Sequence, residues 1–173
     1  MRIVIAGASG FVGQMLVPEL RARGADVMLL GRDPEALQAK FPECAVSDYA
    51  NLSQALQGAD LLLNLAVVNS DAGASLSAYQ SVNVEFAATL AQAAQDAGVR
   101  FINVSSTHAL EAANRSAYAQ SKRYGVAAVD AVGGISCISI CQRFMARHSR
   151  ARCAILTAYP SLWRGLPLAR FRR

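Results

Sequence analysis

The feature that most constrains this chain lies within its first 13 residues. An apolar, β-branched run, Ile3-Val4-Ile5, leads at once into Gly7-Ala8-Ser9-Gly10-Phe11-Val12-Gly13, and a segment of helical spacing continues to Arg23. Three glycines three residues apart, between a strand and a helix, serve three purposes. Gly7 allows a tight turn, Gly10 lets the backbone approach a pyrophosphate with no Cβ in the way, and Gly13 lets the helix lie close on the sheet. The first turn of that helix also offers free N–H groups and the positive end of its dipole to an anion. Gly7, Ser9, Gly10, Phe11, Val12 and Gly13 are therefore candidate phosphate-cradling residues. A glycine triplet by itself also fits a flexible strand-to-helix turn; the flanking strand and helix give it weight.

The rest of the chain repeats the alternation. The spacing of Phe11, Met15, Leu16 and Leu20 predicts one buried helical stripe, ended by Gly24. Strands are predicted over 27–30, 44–46, 60–65, 101–104 and 135–140. Helices are predicted over 34–40, with Asp33 as cap and Pro34 at its first position, and over 51–57, 76–97 and 116–132. Within 76–97, the recurrence of Val82, Phe86, Leu90 and Ala94 predicts a continuous helix with those residues on one face. Strand 60–65 is nearly all apolar, as a parallel strand covered on both faces requires. The pattern predicts an α/β fold: a doubly wound parallel sheet of Rossmann type in three α/β/α layers, spanning residues 1–140.

Chemistry-bearing segments follow in order: Asp48-Tyr49 after the third strand, Asn64-Leu65-Ala66 at the end of the fourth, and Val82-Asn83-Val84 on the long helix. After them come Val104-Ser105-Ser106-Thr107 at the end of the fifth strand and Tyr118-Ala119-Gln120-Ser121-Lys122 on the next helix. With the GxxGxxG spacing, this order resembles the extended short-chain dehydrogenases, the NAD-dependent epimerase/dehydratase family, over residues 1–140. The resemblance implies a bound NAD or NADP. It places Asp48 and Tyr49 at the adenine, Leu65 and Ala66 beside its ribose, and Asn83 as a brace of the central strands. It also implies Thr107 (with Ser106 as alternative), Tyr118 and Lys122 as catalytic residues, with Tyr118 and Lys122 also touching the cofactor. The YxxxK physics stands apart from the family. Residues i and i+4 share a helix face, and an ammonium at Lys122 favours the phenolate of Tyr118, preparing it to exchange a proton during hydride transfer. Gly31-Arg32 occupies the end of the second strand, where NAD enzymes usually carry an acid; Arg32 suits a 2′-phosphate, which favours NADP(H).

Charge divides the chain. Residues 1–130 hold all 12 acids and 9 basic residues, whereas residues 131–173 hold eight arginines and no acid. The basic segment 141–173 does not match the family's continuation into a substrate-binding region, and the segment between Thr107 and Tyr118 is short. The expectation is a minimal or truncated substrate region, with a membrane- or nucleic-acid-binding tail disfavoured for want of an amphipathic period. Cys44, Cys137, Cys141 and Cys153 show no metal spacing and read as reduced thiols of a cytoplasmic protein. No apolar run reaches the roughly 20 residues of a membrane span. The sequence thus predicts an NAD(P)-dependent oxidoreductase or epimerase-type domain acting by hydride transfer on a sugar-nucleotide-like or other small substrate. The family implies a homodimer through the helices 76–97 and 116–132. The alternative is a non-catalytic NAD(P)-binding module or a truncated fragment.

Overall fold

The computed structural model describes residues 1–69 and 73–139; the basic segment 141–173 lies outside the described residues. The elements are β1 (Arg2–Ala6), α1 (Phe11–Ala22), β2 (Asp26–Leu30), α2 (Pro34–Lys40), β3 (Ala45–Ser47), α3 (Leu52–Ala55), β4 (Leu61–Asn64), α4 (Leu76–Tyr79), a π-helical segment (Gln80–Phe86), α5 (Ala87–Asp96), β5 (Arg100–Ser106), α6 (Ala117–Ala131) and β6 (Ile135–Ser139). Short 3-10 turns precede α3 and follow β5. The six strands form one parallel sheet in the order β3-β2-β1-β4-β5-β6. The doubly wound α/β reading is correct.

Two apolar clusters cover the two faces. Ile3, Ile5, Leu29, Leu63 and Ile102 meet Leu16, Val17 and Leu20 of α1 and Leu37 of α2. Val4, Ala6, Leu30, Leu62 and Phe101 meet Ala87, Leu90, Ala91 and Ala94 of α5 and Val129 of α6. Alternate residues of each strand thus feed opposite faces, which is why the central strands are almost wholly apolar. The register sets Ala6 level with Asn64 and Asn64 level with Asn103, so the chain leaves β1, β4 and β5 at one edge of the sheet.

Two expectations need correction. Phe11 does not join the buried stripe of α1; it is 56 % exposed at the first helical position, while Leu16, Val17 and Leu20 are buried. The helix predicted over 76–97 runs from Leu76 to Asp96, but Gln80–Phe86 within it is wound as a π-helix. The extra residue per turn rotates the register. The buried residues are Tyr79, Asn83, Val84, Ala87, Leu90, Ala91 and Ala94, whereas Val82 and Phe86 are part-buried and line a cleft.

Candidate active site

The sheet order reverses direction between β1 and β4, the position at which open α/β sheets bind ligands beyond their carboxyl ends. The glycine turn leaves β1 there. Gly7 has φ +80°, and a Cβ on it would stand 2.3 Å from the Ala66 nitrogen, so the turn lies directly on the chain leaving β4. A Cβ on Gly13 would stand 2.2 Å from the Ala8 carbonyl oxygen, which shows how tightly α1 docks. Gly10, the N-cap of α1, provides no side chain to its first-turn N–H groups. A cleft of about 690 Å³ opens beside this turn, within the usual range for a small-molecule site. An uncapped helix start, a turn that no side chain could share and a cleft of this size fit a dinucleotide's pyrophosphate.

The cleft brings together Gly7, Ser9, Gly10, Arg32, Tyr49, Leu65 and Ala66 of the predicted binding residues. Burial pushes the Tyr49 phenol up, against a hydrogen bond with the Gly7 backbone and the charge of Arg32. Its ring stands edge-on to Phe86, centroids 4.8 Å apart. Phe11, Val12, Gly13, Asp48, Asn83, Tyr118 and Lys122, and the catalytic candidate Thr107, do not line the cleft. The Asp48 carboxylate instead accepts from the Asn51 backbone N–H at 3.0 Å and side-chain amide at 2.7 Å, capping the 3-10 turn.

The second group of residues sits where β5 ends. Lys122 is buried, and its Nζ donates to the Val104 carbonyl at 3.3 Å. Burial alone pushes its ammonium down to about 8. Strand alternation puts Asn103 and Ser105 on the α5–α6 face and Ser106 on the other. The Ser106 hydroxyl caps the following 3-10 turn by accepting from His108 N–H at 3.3 Å. Among the described residues the buried Ser105 hydroxyl has no partner. Asn83, exposed to neither solvent nor cleft, holds both backbone groups of Val68: its Oδ1 accepts from Val68 N–H at 2.9 Å and its Nδ2 donates to Val68 C=O at 3.0 Å. That Nδ2 also donates to the Ser121 hydroxyl at 3.0 Å, and Ser121 donates on to the Tyr118 carbonyl at 2.8 Å. A chain of polar contacts therefore joins the cleft wall at Val68 to the helix carrying Tyr118 and Lys122. Gly125 permits it, since a Cβ there would stand 2.1 Å from the Asn83 carbonyl oxygen.

Sequence reasoning missed Lys40, Phe86, Ser121 and Gly125. Lys40 lines the cleft and donates to the Ser9 carbonyl at 3.3 Å. Its signal was present: Asp33, Ala36, Leu37 and Lys40 follow one helical face, and all four line the cleft. Phe86 and Gly125 had none, because both matter through contacts with distant residues, Tyr49 and Asn83, that only the folded chain makes. Among the described residues no cluster of three His, Cys, Asp or Glu side chains could hold a metal, and no helix is long and apolar enough to cross a membrane.

Fold and cleft together define a NAD-binding Rossmann domain. The model of the NAD dependent epimerase/dehydratase family matches residues 3–142, and the chain belongs to that family. It is 34 % identical over 135 residues to a ceramide reductase of Caulobacter vibrioides (strain NA1000 / CB15N), covering 75 % of this chain and 42 % of the relative. It is 36 % identical over 117 residues to a 3-beta-hydroxysteroid dehydrogenase of Mycolicibacterium neoaurum, covering 61 % and 32 %. A short-chain dehydrogenase/reductase superfamily protein from Agrobacterium tumefaciens, solved with bound NAD, superimposes with a TM-score of 0.62 at 28 % identity, covering 75 % of this chain and 44 % of that one. The chain thus spans less than half the length of either curated relative.

Proposed function

We propose that this chain binds NAD(P) in the cleft beside Gly7 and takes part in hydride transfer at a carbinol or carbonyl carbon, with Tyr118 as the acid/base. The observation that carries this reading is convergence at one sheet edge. The glycine turn abuts Ala66, and Lys122 is held on the Val104 carbonyl in the row just beyond Ala6, Asn64 and Asn103. A bound nicotinamide would supply the hydride chemistry. Tyr118 donates a proton to the substrate oxygen during reduction and takes it back during oxidation, and Lys122 one turn on orients the cofactor ribose and favours the phenolate. Thr107 supplies the orienting hydroxyl; the commitment of Ser106 to capping supports that choice over Ser106. Phe11, Val12 and Gly13 present first-turn N–H groups, and Asn83 holds the cleft wall.

Titration with NADH and NADPH, followed by fluorescence, tests the cofactor reading. Tyr118→Phe tests the chemistry, against a panel of sugar nucleotides and of lipid and sterol alcohols and ketones. The enzyme reading requires turnover lost and cofactor affinity kept. A wild-type chain that binds cofactor and turns over nothing on that panel is a non-catalytic module.

The preference for NADP(H) is the finer part of the proposal. It rests on Arg32 and Lys40, which both line the cleft, and on Asp33, whose carboxylate is occupied by the Ala36 N–H at 2.9 Å. Tighter binding of NADH than NADPH overturns it. Pairing of two copies through the helices 76–97 and 116–132 is supported by the exposure of Leu76 (74 %) on α4 and Tyr124 (57 %) on α6, and sedimentation decides it. Residues 1–140 as a self-standing domain are testable by limited proteolysis, in which the proposal predicts a stable core ending near residue 140.

A further inference from the structure

Ten residues, 108–117, lie between Thr107 and Tyr118. For these two to work as a pair, the distance between them must be fixed, and a stretch of that length fixes nothing unless it is itself held. Both of its ends are. Ser106 Oγ accepts from His108 N–H at 3.3 Å, and the Thr107 carbonyl accepts from Leu110 N–H at 2.9 Å. At the far end Asn114 Oδ1 accepts from Ser116 N–H at 3.1 Å and Ser116 Oγ from Ala119 N–H at 3.2 Å. Gln120 Nε2 donates to the Arg115 carbonyl at 2.6 Å. In each of these bonds the partners lie within five residues of one another. Such bonds shape the turns of the segment; they do not attach its middle to the rest of the protein.

The middle is attached by a residue of α6. Arg123, next after Lys122, donates from Nη1 to the Glu111 carbonyl at 3.1 Å and from Nη2 to the Asn114 carbonyl at 2.8 Å. These two carbonyls belong to one closed turn. Asn114 N–H donates to the same Glu111 carbonyl at 2.9 Å, and the Asn114 side-chain amide donates to the Glu111 carboxylate at 3.1 Å. A guanidinium carries its donors in a planar fork and can hold two carbonyls at once, whereas an ammonium is a point donor. The fork thus ties the turn 111–114 to the helix that carries Tyr118. The tie reaches the phenol's surroundings as well, because His108, three residues before Glu111, stands edge-on to the Tyr118 ring with centroids 5.8 Å apart.

We propose that Arg123 is a positioning residue of this site: its fork on the Glu111 and Asn114 carbonyls fixes the segment 108–117 against α6, and so sets where Thr107 stands relative to Tyr118. The proposal rests on the reading of Thr107 as the orienting hydroxyl and Tyr118 as the acid/base. Arg123 acts through the backbone of the segment and not on the substrate. What it contributes is two donors at a fixed spacing, not its charge. Misplacing an orienting group by about 1 Å can cost on the order of 100-fold in rate, so loss of the fork is expected to appear in kcat.

The test compares the full chain with its Arg123→Lys and Arg123→Met variants. Lysine keeps the charge and loses the fork; methionine keeps an unbranched stem and loses every donor. Hydrogen exchange is expected to quicken at the Leu110 and Asn114 amides in both variants. Exchange at Val4 and Ile5 of β1 should stay unchanged, which shows that the fold is intact. In protein labelled with fluorotyrosine, the Tyr118 signal, assigned by its loss in Tyr118→Phe, is expected to shift or broaden as His108 leaves its ring. On whichever alcohol, ketone or sugar nucleotide the wild type turns over, kcat is expected to fall about tenfold or more, with NADH affinity kept within about twofold. Wild-type behaviour of Arg123→Lys would mean that charge suffices, and overturns the proposal. So does quickened exchange with kcat unchanged, which leaves Arg123 a stabilising role only. A wild type that binds NADH and turns over nothing strikes the proposed function, and the catalytic consequence of Arg123 falls with it. Unchanged exchange and an unmoved Tyr118 signal in the variants strike the clamp alone.

Discussion

The two ends of the site are built in opposite ways. The glycine turn is a site made of backbone, in which Gly7, Gly10 and Gly13 serve by lacking side chains, and all three lie within seven residues of sequence. The corner at the end of β5 is made of side chains. Lys122, Asn83, Ser121 and the His108–Glu111 pair come from α6, the π-helical segment and the turn after β5, and they meet only in the folded chain. A backbone site is rigid and intolerant at single atoms. A side-chain corner stores its cost in buried polar groups, so its substitutions act through unpaired hydrogen bonds and charge.

The contrast can be broken from either side. Gly7→Ala carries the largest expected effect, because a positive φ and a 2.3 Å approach to the Ala66 backbone leave nothing to give way. Strain and overpacking, each on the order of 1–3 kcal/mol, predict a loss of several kcal/mol in urea unfolding together with loss of NAD(P)H binding. Gly125→Ala meets a backbone oxygen at 2.1 Å and is destabilising too, yet it is expected to spare cofactor binding more than Gly7→Ala does. Equal losses of affinity would erase the distinction between the two ends.

Lys122→Met comes next and has a pH signature. Burial holds the folded-state ammonium at about 8 against an ordinary 10.5, so between those values the folded chain has released a proton that the unfolded chain still binds. Wild-type stability therefore gains from this residue as pH rises from about 8 to 10.5, by about 3 kcal/mol when complete. Lys122→Met removes that increment and is more stable than wild type at pH 7. A wild-type-minus-variant difference that stays flat across this window removes the buried-cation account.

Asn83→Ala strips the Val68 N–H and C=O and the Ser121 hydroxyl of a partner, at an expected cost of about 2 kcal/mol. Hydrogen exchange at the Val68 amide should quicken in step; unchanged protection would mean that the wall at Val68 is held by other contacts. Asp33→Ala is the smallest, about 1 kcal/mol for a lost helix cap, with NADH affinity unchanged. A tenfold fall in that affinity would instead place Asp33 on the cofactor.

Most of the fold was legible because strands and helices here announce themselves locally. Apolar runs such as Leu61-Leu62-Leu63 suit strands covered on both faces, and Asp33-Pro34 caps the helix predicted to follow it. Other expectations failed where a spacing rule was read too strictly. Residues four apart drift by about 40° per step around a helix, so Val82 and Phe86, read on one face with Leu90 and Ala94, turn toward the cleft, and the π-helical winding of Gln80–Phe86 has no glycine or proline to mark it. His108 had no sequence signal, since its contacts with Glu111 and Asn114 form where Arg123 ties their segment to α6.

The sequence alone thus determined the glycine turn, the alternation and the order of the candidate residues, because each depends on neighbours within a turn or a strand. Tertiary structure decided what those residues do together. It brought Ala66 against Gly7, turned Asn83 inward between Val68 and Ser121, committed Ser106 to a cap and buried Lys122 against the Val104 carbonyl. These are contacts between residues up to 59 positions apart, and no local propensity encodes a distance of that kind.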